Sequence, residues 1–490
     1  MTGRPPLMQQ VRDLLDAAVR GYTGTPGEPR LRAVRDRLDE PLRVAVAGKV
    51  KAGKSTLLNA LVGEEVAPTD AGECTTIVTW YSDGPTYRAT LHDRGGTSRQ
   101  VPLQRGDGGL HVDLGPTPAA EVERLVVEWP SASLRTTTLI DTPGIDSLSS
   151  DVSRRTTEFL VPGKDEETPA DAVIYLMRQM HHNDIRFLEA FHDEEVSQAT
   201  PVNAIGVLSR ADEVAGGRLD AMTSATRIAT RYRSDPRVRR LCQTVIPVAG
   251  LLAQSGSTLR EAEFRALEVL ARAPLEGVDA LLLSASRFAE APSPLLDPAE
   301  REQLLARLGL FGVRLAVDLI AGGVVASAPQ LATELVARSG LRELQQVLAT
   351  QFAARRDVLK SRSALLAVEA VLVDLPLPAS GRLAGEFERV SAGAHEFVEL
   401  RLLNGLRRGG VGLPAPEMEE IERLLGGSGS SFPARLGLPA GADGHDLGRE
   451  LASVIARWQR RAESPMSNRQ VADAARVVVR TCEGLHAALA

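Results

Sequence analysis

Residues 48–55 have the sequence Gly-Lys-Val-Lys-Ala-Gly-Lys-Ser, which is the spacing of a phosphate-binding loop. The apolar run at 42–47 before it predicts a buried parallel strand, and residues 55–61 after it predict the first turns of a helix. In such a turn the backbone N–H groups and the positive end of the helix dipole face one anion. The pattern therefore predicts a nucleoside triphosphate site at Gly48, Lys49, Val50, Lys51, Ala52, Gly53, Lys54, Ser55 and Thr56.

Two side chains of the loop have the chemistry of phosphate and metal binding. We expect Lys54 to reach the β- and γ-phosphates and Ser55 to ligate Mg²⁺. Lys51 lies inside the loop, where its charge could fold over the phosphates as a catalytic cation in cis; a solvated loop lysine is the alternative. Ile145 follows Gly144, so no glutamine stands there to orient water.

A second element, Leu139-Ile-Asp-Thr-Pro-Gly144, ends an apolar strand. Such a strand delivers Asp141 beside the metal, and the Gly144 amide can meet the γ-phosphate. A switch threonine is expected in Cys74-Thr75-Thr76, with Thr75 preferred over Thr76 as the residue that handles Mg²⁺ and the attacking water. The metal set is therefore Ser55, Thr75 and Asp141, and the catalytic candidates are Lys51 and Thr75.

A third element, Ser209-Arg210-Ala211-Asp212, ends the predicted strand at 202–208. GTP-binding proteins carry Asn/Thr-Lys-x-Asp at this place. Asp212 keeps the acceptor for the guanine edge, and Arg210 supplies a flat cation for the ring face. The departure from lysine leaves adenine open as the alternative base. Residues 245–250, with Ala249, would close over the base.

Composition limits the class of protein. A net charge of −6 argues against a nucleic-acid binder, because such proteins show a basic field. Three widely spaced cysteines indicate a reducing compartment rather than a disulfide framework. No apolar run reaches the length of a membrane span and no signal peptide is expected, so the prediction is a cytoplasmic protein, and peripheral contact with a membrane stays open.

The order of predicted elements indicates an α/β P-loop GTPase domain, with a mostly parallel sheet and helices on both faces, joined to an α-helical bundle or stalk. Residues 7–20 predict an amphipathic helix before the first strand, and the glycine- and charge-rich residues 95–109 predict a hairpin insertion. Beyond about residue 250 only helices are expected, among them helices at 298–308 and 341–373. The predicted division is N-terminal bundle helices at 1–40, a GTPase domain at 41–285, a helical neck at 286–354 and a C-terminal helical bundle at 355–490.

Several further runs carry a family resemblance. They are 47–57 (AGKVKAGKSTL), 67–71 (APTDA), 77–80 (IVTW), 209–213 (SRADE) and 339–344 (SGLREL). With DTPG and helices on both sides, they resemble the dynamin superfamily, and within it the actinobacterial isoniazid-inducible dynamin-like proteins, over nearly the whole chain. Lys51 stands where dynamins proper have a cation-binding serine and guanylate-binding relatives a catalytic arginine.

The resemblance implies GTP hydrolysis with Mg²⁺, stimulated when two GTPase domains meet, and coupled to movement of a helical stalk. It also implies a peripheral position at the anionic inner face of the cytoplasmic membrane, binding and remodelling of that membrane, and a paralogous dynamin-like protein as a partner. The chain is short for a dynamin and shows no long stalk or lipid-binding domain. The rival interpretations are a GTP-dependent switch or scaffold that does not deform lipid, and an ATP-specific relative.

Two remaining patterns allow either a ligand-binding or an ordinary structural interpretation. The loops at 405–413 and 426–438, and the arginines Arg457, Arg460 and Arg461, are candidate lipid contacts, but ordinary helix connectors and a solvated helix face are the preferred interpretations. The adjacent pair His181-His182 does not favour a metal site, because neighbouring side chains point apart. Asn183 or Asp184 is expected to cap the next helix.

Overall fold

The computed structural model describes residues 6–68, 77–106, 109–144, 170–179, 184–185, 188, 203–239, 241–377, 381–407, 411–427, 429 and 431–489. In chain order its strands are β1 (Leu42–Gly48), β2 (Thr79–Ser82), β3 (Arg88–Asp93), β4 (Ser98–Val101), β5 (Leu103–Gly106), β6 (Gly109–Val112), β7 (Val122–Glu128), β8 (Thr137–Asp141), β9 (Ala172–Met177), β10 (Ala204–Ser209) and β11 (Val245–Val248).

Nine of these strands form one sheet in the order β11-β10-β9-β1-β8-β2-β7-β3-β4. The five pairs β11/β10, β10/β9, β9/β1, β1/β8 and β2/β7 are parallel. The remaining three, β8/β2, β7/β3 and β3/β4, are antiparallel. The central strands β9 and β10 are buried along their whole length, which is why they are continuous apolar runs. The prediction of a mostly parallel sheet is confirmed.

The following helices are described in the first half of the chain. They are α1 (Leu7–Gly21), α2 (Gly27–Arg37), α3 (Lys54–Val62), α4 (Ala221–Ser234), α5 (Pro236–Arg239), α6 (Gly250–Ser257), α7 (Glu261–Arg272), α8 (Leu275–Leu281) and α9 (Ala285–Glu290). The second half continues with α10 (Pro298–Ala321), α11 (Ala328–Arg338), α12 (Leu341–Val347), α13 (Arg356–Asp374), α14 (Gly381–Gly393), α15 (His395–Arg407), α16 (Ala415–Leu424), α17 (Phe432–Leu436), α18 (Gly444–Glu463) and α19 (Arg469–Leu489).

Three expectations about these elements differ from the structure. The helix expected at 298–308 continues as α10 to Ala321, because its second half is apolar and buried, although Gly309 (φ 63°) interrupts it. The helix expected at 341–373 is broken after Val347 by a π turn that ends at the buried Phe352. Residues 95–109, expected as a hairpin insertion, contribute β4 to the sheet edge and part of the separate β5–β6 pair.

The N-terminal helices pack against helices from far along the chain. A common core joins α1 and α2 to α13 and α14, through Leu7, Val11, Leu14, Leu15, Leu31, Val34, Leu365, Val368, Val371, Phe387 and Val390. The apolar stripe of α1 recurs every three or four residues and is buried in this core. A second helical core holds α15 to α19, around Ile421, Leu451, Trp458 and Val478. No helix among the described residues is long and apolar enough to cross a membrane.

A buried ionic cluster connects this N-terminal bundle to the base of the sheet. Asp171, fully buried just before β9, contacts Arg37 Nη2 of α2 at 2.8 Å and Lys360 Nζ of α13 at 3.3 Å. The backbone N–H of Arg43 donates to its second oxygen at 2.9 Å. Burial opposes ionisation of Asp171, but the two cations hold its pKa below the usual range, and burial lowers the pKa of Lys360 to about 8.

Candidate nucleotide-binding site

The loop between β1 and α3 has the backbone of a phosphate cradle. Three of its residues have positive φ: Gly48 (151°), Lys51 (60°) and Gly53 (91°). A Cβ at position 48 would lie 2.5 Å from the carbonyl oxygen of Leu176 on β9, so only glycine fits there. The loop is therefore pressed against the neighbouring strand, and α3 begins directly at Lys54 with its N-terminus toward the loop.

Lys54 and Ser55 lie where the phosphate and metal chemistry requires them. Lys54 Nζ donates to the carbonyl oxygens of Gly48 and Lys49, each at 3.2 Å, so its ammonium group lies inside the turn of the loop. Ser55 Oγ donates to Asp141 Oδ2 at 3.0 Å. The structure thus brings together a lysine, a hydroxyl and a carboxylate that are as many as 87 positions apart in sequence (141 − 54).

Asp141 has the properties of a metal ligand. Its Oδ1 atom is buried without a hydrogen-bond partner among the described residues. Burial raises the pKa of this carboxyl, and the nearby Lys54 ammonium and the Ser55 hydrogen bond only partly offset that effect. A buried carboxylate oxygen with an open coordination position, beside a serine hydroxyl, fits a hard cation such as Mg²⁺. The residues that would hold the cation are Ser55 and Asp141.

Gly144 lies against the phosphate loop. A Cβ at this position would be 2.3 Å from Val50 Cγ2 and 2.8 Å from Val50 Cα. Thr142 fixes the approach, because its hydroxyl donates to the Val46 carbonyl oxygen of β1 at 2.9 Å. The backbone after β8 can therefore touch the phosphate loop only because position 144 has no side chain.

The base end of the site is a pocket of about 160 Å³ beside the start of α3. Its lining comprises Ala52, Gly53, Thr56, Leu57, Leu176, Val207, Ser209, Arg210, Asp212, Glu213, Val248, Gly250 and Leu251. The apolar members come from the phosphate loop, α3, strands β9 to β11 and α6, and three of the polar ones, Arg210, Asp212 and Glu213, from the turn after β10. A pocket with apolar walls and a buried carboxylate is suited to a purine ring.

Asp212 is the buried carboxylate of this pocket. It is 9% exposed, and burial raises its pKa. Arg210 precedes it in a left-handed conformation (φ 51°), and Arg210 Nη1 contacts Glu213 Oε1 at 2.7 Å. The other oxygen of Glu213 accepts from Arg178. The Arg210 side chain is thus held at the rim of the pocket rather than free in solvent.

The structure places the other predicted residues less directly. Ala249 is buried and its N–H donates to the Ser339 carbonyl oxygen at 2.9 Å, while its neighbours Val248 and Gly250 line the pocket. Lys51 is exposed at the tip of the loop. Thr75 and Thr76 lie outside the described residues, as do His181 and His182.

One contact of the phosphate loop is not indicated by any sequence motif. Lys49 Nζ lies 3.2 Å from Asp184 Oδ2, and Asp184 is fully buried. The hydroxyl of Tyr175, on β9, donates to Asp184 Oδ1 at 2.8 Å, and burial together with Asp184 raises the pKa of Tyr175. Asp184 was expected only as a helix cap. Its role in binding Lys49 could not be inferred from spacing, because the two residues are 135 positions apart.

Comparisons with known proteins agree with this geometry. Residues 44–209 match the model of the dynamin family. The chain is 41% identical over 484 residues to the isoniazid-induced protein IniC of Mycobacterium tuberculosis, and the match covers 97% of each chain. It is 37% identical over 125 residues to the isoniazid-induced protein IniA of that species, which is 24% of this chain and 20% of the other. A bacterial dynamin-like protein of Nostoc punctiforme is 33% identical over 115 residues, 21% and 17% of the two chains.

Acid should weaken the metal-dependent part of nucleotide binding. Because the pKa of Asp141 is raised, its carboxyl takes up a proton at a higher pH than an ordinary aspartate, whose pKa is about 4. A protonated carboxyl is a poor cation ligand. We expect Mg²⁺ to increase triphosphate affinity less and less as pH falls from 7 to 5. Titrations of a fluorescent nucleotide with and without Mg²⁺ measure this.

Asp141→Asn should abolish both the Mg²⁺ effect and its pH dependence. Asp171→Asn removes an equally buried carboxylate outside the loop and should retain both. An unchanged Mg²⁺ effect in Asp141→Asn would show that this carboxylate is not a ligand.

Proposed function

The chain belongs to the dynamin family, and we propose that it binds and hydrolyses GTP with Mg²⁺ in the pocket between β1, β8 and β10. One observation carries the proposal. Ser55 is hydrogen-bonded to Asp141 beside Lys54, and Ala52, Gly53 and Thr56, which flank these residues in the loop and at the start of α3, also line the pocket that contains Asp212. That arrangement would place a triphosphate and a divalent cation next to a purine.

Each residue has a separate task in this mechanism. Lys54, which donates to the carbonyl oxygens of the loop, would turn to the β- and γ-phosphates, where its charge would stabilise the transferring group. Ser55 and Asp141 would hold Mg²⁺, which would supply positive charge to the phosphate oxygens. The Gly144 amide meets the γ-phosphate, and Thr75 orients the attacking water. Asp212 accepts two hydrogen bonds from the guanine edge.

Lys51 is proposed as the cation that completes the site in cis. It is exposed and in the left-handed conformation, so its side chain leaves the loop on the side open to solvent. From there the ammonium group can fold over the β- and γ-phosphates once a nucleotide fills the cradle. An arginine that supplies a cation to this reaction raises the rate by about 10³–10⁵-fold. In this proposal Lys51 contributes part of such an effect.

We further propose that hydrolysis is coupled to self-association of the nucleotide domains and to peripheral contact with an anionic membrane, with a paralogous dynamin-like protein as a partner. The support is family membership and the helical bundle in which α1 and α2 join α13 and α14. The proposed division is 1–40, 41–285, 286–354 and 355–490. A switch or scaffold that recruits a partner without deforming lipid is the second candidate, because a remodelling protein and a switch would use the same nucleotide site.

The identity of the base can be tested at Asp212. Because the carboxylate accepts hydrogen bonds that only guanine donates, we expect excess GTP, but not ATP, to displace a fluorescent guanine nucleotide. Asp212→Asn should lower guanine affinity by at least tenfold, because the amide NH₂ group of asparagine would then face the N–H donors of the guanine edge. Asp171→Asn, which removes a buried carboxylate outside the pocket, is the control and should change affinity much less. Equal competition by ATP in the wild type would favour the adenine-specific alternative.

Coupling to self-association and lipid predicts the rate law of hydrolysis. We expect the GTPase rate per molecule to rise with protein concentration, because pairing of nucleotide domains stimulates hydrolysis in this proposal, and to rise further with vesicles that contain anionic lipid. Vesicle leakage or tubulation with GTP, and none with GDP, would support remodelling. A rate strictly proportional to protein concentration, unaffected by vesicles, would favour the isolated switch.

A further inference from the structure

We propose that Asp184 is a positioning residue of the nucleotide site, which sets the shape of the phosphate loop through Lys49. The inference rests on the proposed nucleotide function and adds to it a residue outside every motif of the site. Lys49 Nζ lies 3.2 Å from Asp184 Oδ2, and the side chain of Asp184 is fully buried while that of Lys49 is 37% exposed. The lysine therefore reaches from the loop into the protein rather than toward the phosphates.

The backbone of Lys49 is the point at which the loop is held together. Its carbonyl oxygen accepts a hydrogen bond from the Ala52 N–H at 3.1 Å, which closes the turn. The same oxygen accepts from Lys54 Nζ at 3.2 Å. A shift of Lys49 consequently moves both the turn that receives the phosphates and the lysine that neutralises them.

The other end of the contact is fixed. Tyr175 donates its hydroxyl to Asp184 Oδ1 at 2.8 Å, and Tyr175 is 1% exposed in β9. Strand β9 is hydrogen-bonded in parallel to β1, with Tyr175 opposite Ala47 and Leu176 opposite Gly48. The carboxylate is thus anchored to the strand that already presses on the loop at Gly48.

The charges explain why a lysine and an aspartate are needed. An ion pair with one buried partner is screened far less than a surface pair. Its geometry is therefore well defined, whereas a solvated lysine would constrain nothing. The pair also directs one of the three loop lysines away from the phosphates, and leaves Lys54 to contact them. The loop conformation at Lys51, with φ of 60°, gains most from such a tether, because it is costly for a non-glycine residue to form anew on binding.

The test is a double-mutant cycle on the full chain. We expect Lys49→Met, Asp184→Asn and the double variant each to weaken GTP binding by about tenfold, the usual effect of losing a group that orients a ligand-binding residue. The double variant should be no worse than the weaker-binding single variant, because one contact is lost in all three. Lys49→Arg retains the charge and should retain most of the affinity. Dissociation constants for GTP and GDP and urea midpoints are measured on the same preparations.

Asp171→Asn is the matched control. Asp171 is as buried as Asp184 and also contacts a lysine, Lys360, but it lies at the opposite end of β9 from the loop. We expect it to lower the urea midpoint and to leave the GTP dissociation constant within twofold of wild type. This separates loss of a buried ion pair in general from loss of the tether to the phosphate loop.

The outcomes distinguish the two levels of the account. If wild type binds GTP and the Lys49 and Asp184 variants bind it equally well, or if their effects add in the double variant, the inference is wrong and the proposed function stands. If wild type does not bind GTP, the proposed function itself fails. If Asp184→Asn does not fold, Lys49→Met decides alone, because the Lys49 side chain is 37% exposed and can be replaced without opening the core.

Discussion

The phosphate loop depends on contact with its neighbouring strands, because its own backbone is strained. The left-handed conformation of Lys51 costs free energy that the loop alone cannot recover. The surrounding structure offsets this cost through Leu176 behind Gly48, Gly144 against Val50, and the hydrogen bond from Ser55 to Asp141. Gly48 and Gly144 are required for this close approach of the backbone to its neighbours, whereas Gly53 is required for its positive φ.

Two arginines of α10 connect the same site to the helices beyond the sheet. Arg307 contacts Glu65, shortly after α3, at 2.6 Å and Glu263 of α7 at 2.8 Å. One turn past the break at Gly309, Arg314 donates to the carbonyl oxygens of Gly217, after the base-pocket turn, and of Leu282. Removing one partner of a buried ion pair such as Arg307–Glu263 costs up to about 3–5 kcal/mol. Helix α10 therefore contacts two segments near the candidate site, one that precedes Thr75 and Thr76 in sequence and one that follows the turn at Asp212.

Local patterns in the sequence predicted the phosphate loop, the strand that carries Asp141 and the turn at Asp212, because each motif sits at the end of an apolar strand. Contacts between distant residues could not be predicted this way. The partners Lys49 and Asp184 follow no spacing rule, and the ionic cluster around Asp171 forms only when α2, β9 and α13 meet. The end of α10 was also missed, since burial of its second half overrides Gly309. The positions of Thr75 and Thr76 stay predictions.

The central claim is that the cradle, the metal carboxylate and the base carboxylate form one GTP site. Calorimetric titration of the full chain with a slowly hydrolysed GTP analogue tests it most directly. The account predicts saturable binding of one nucleotide per chain, weaker when Mg²⁺ is removed and abolished by Lys54→Ala. Absence of binding by well-folded wild-type protein in the presence of Mg²⁺ would contradict it.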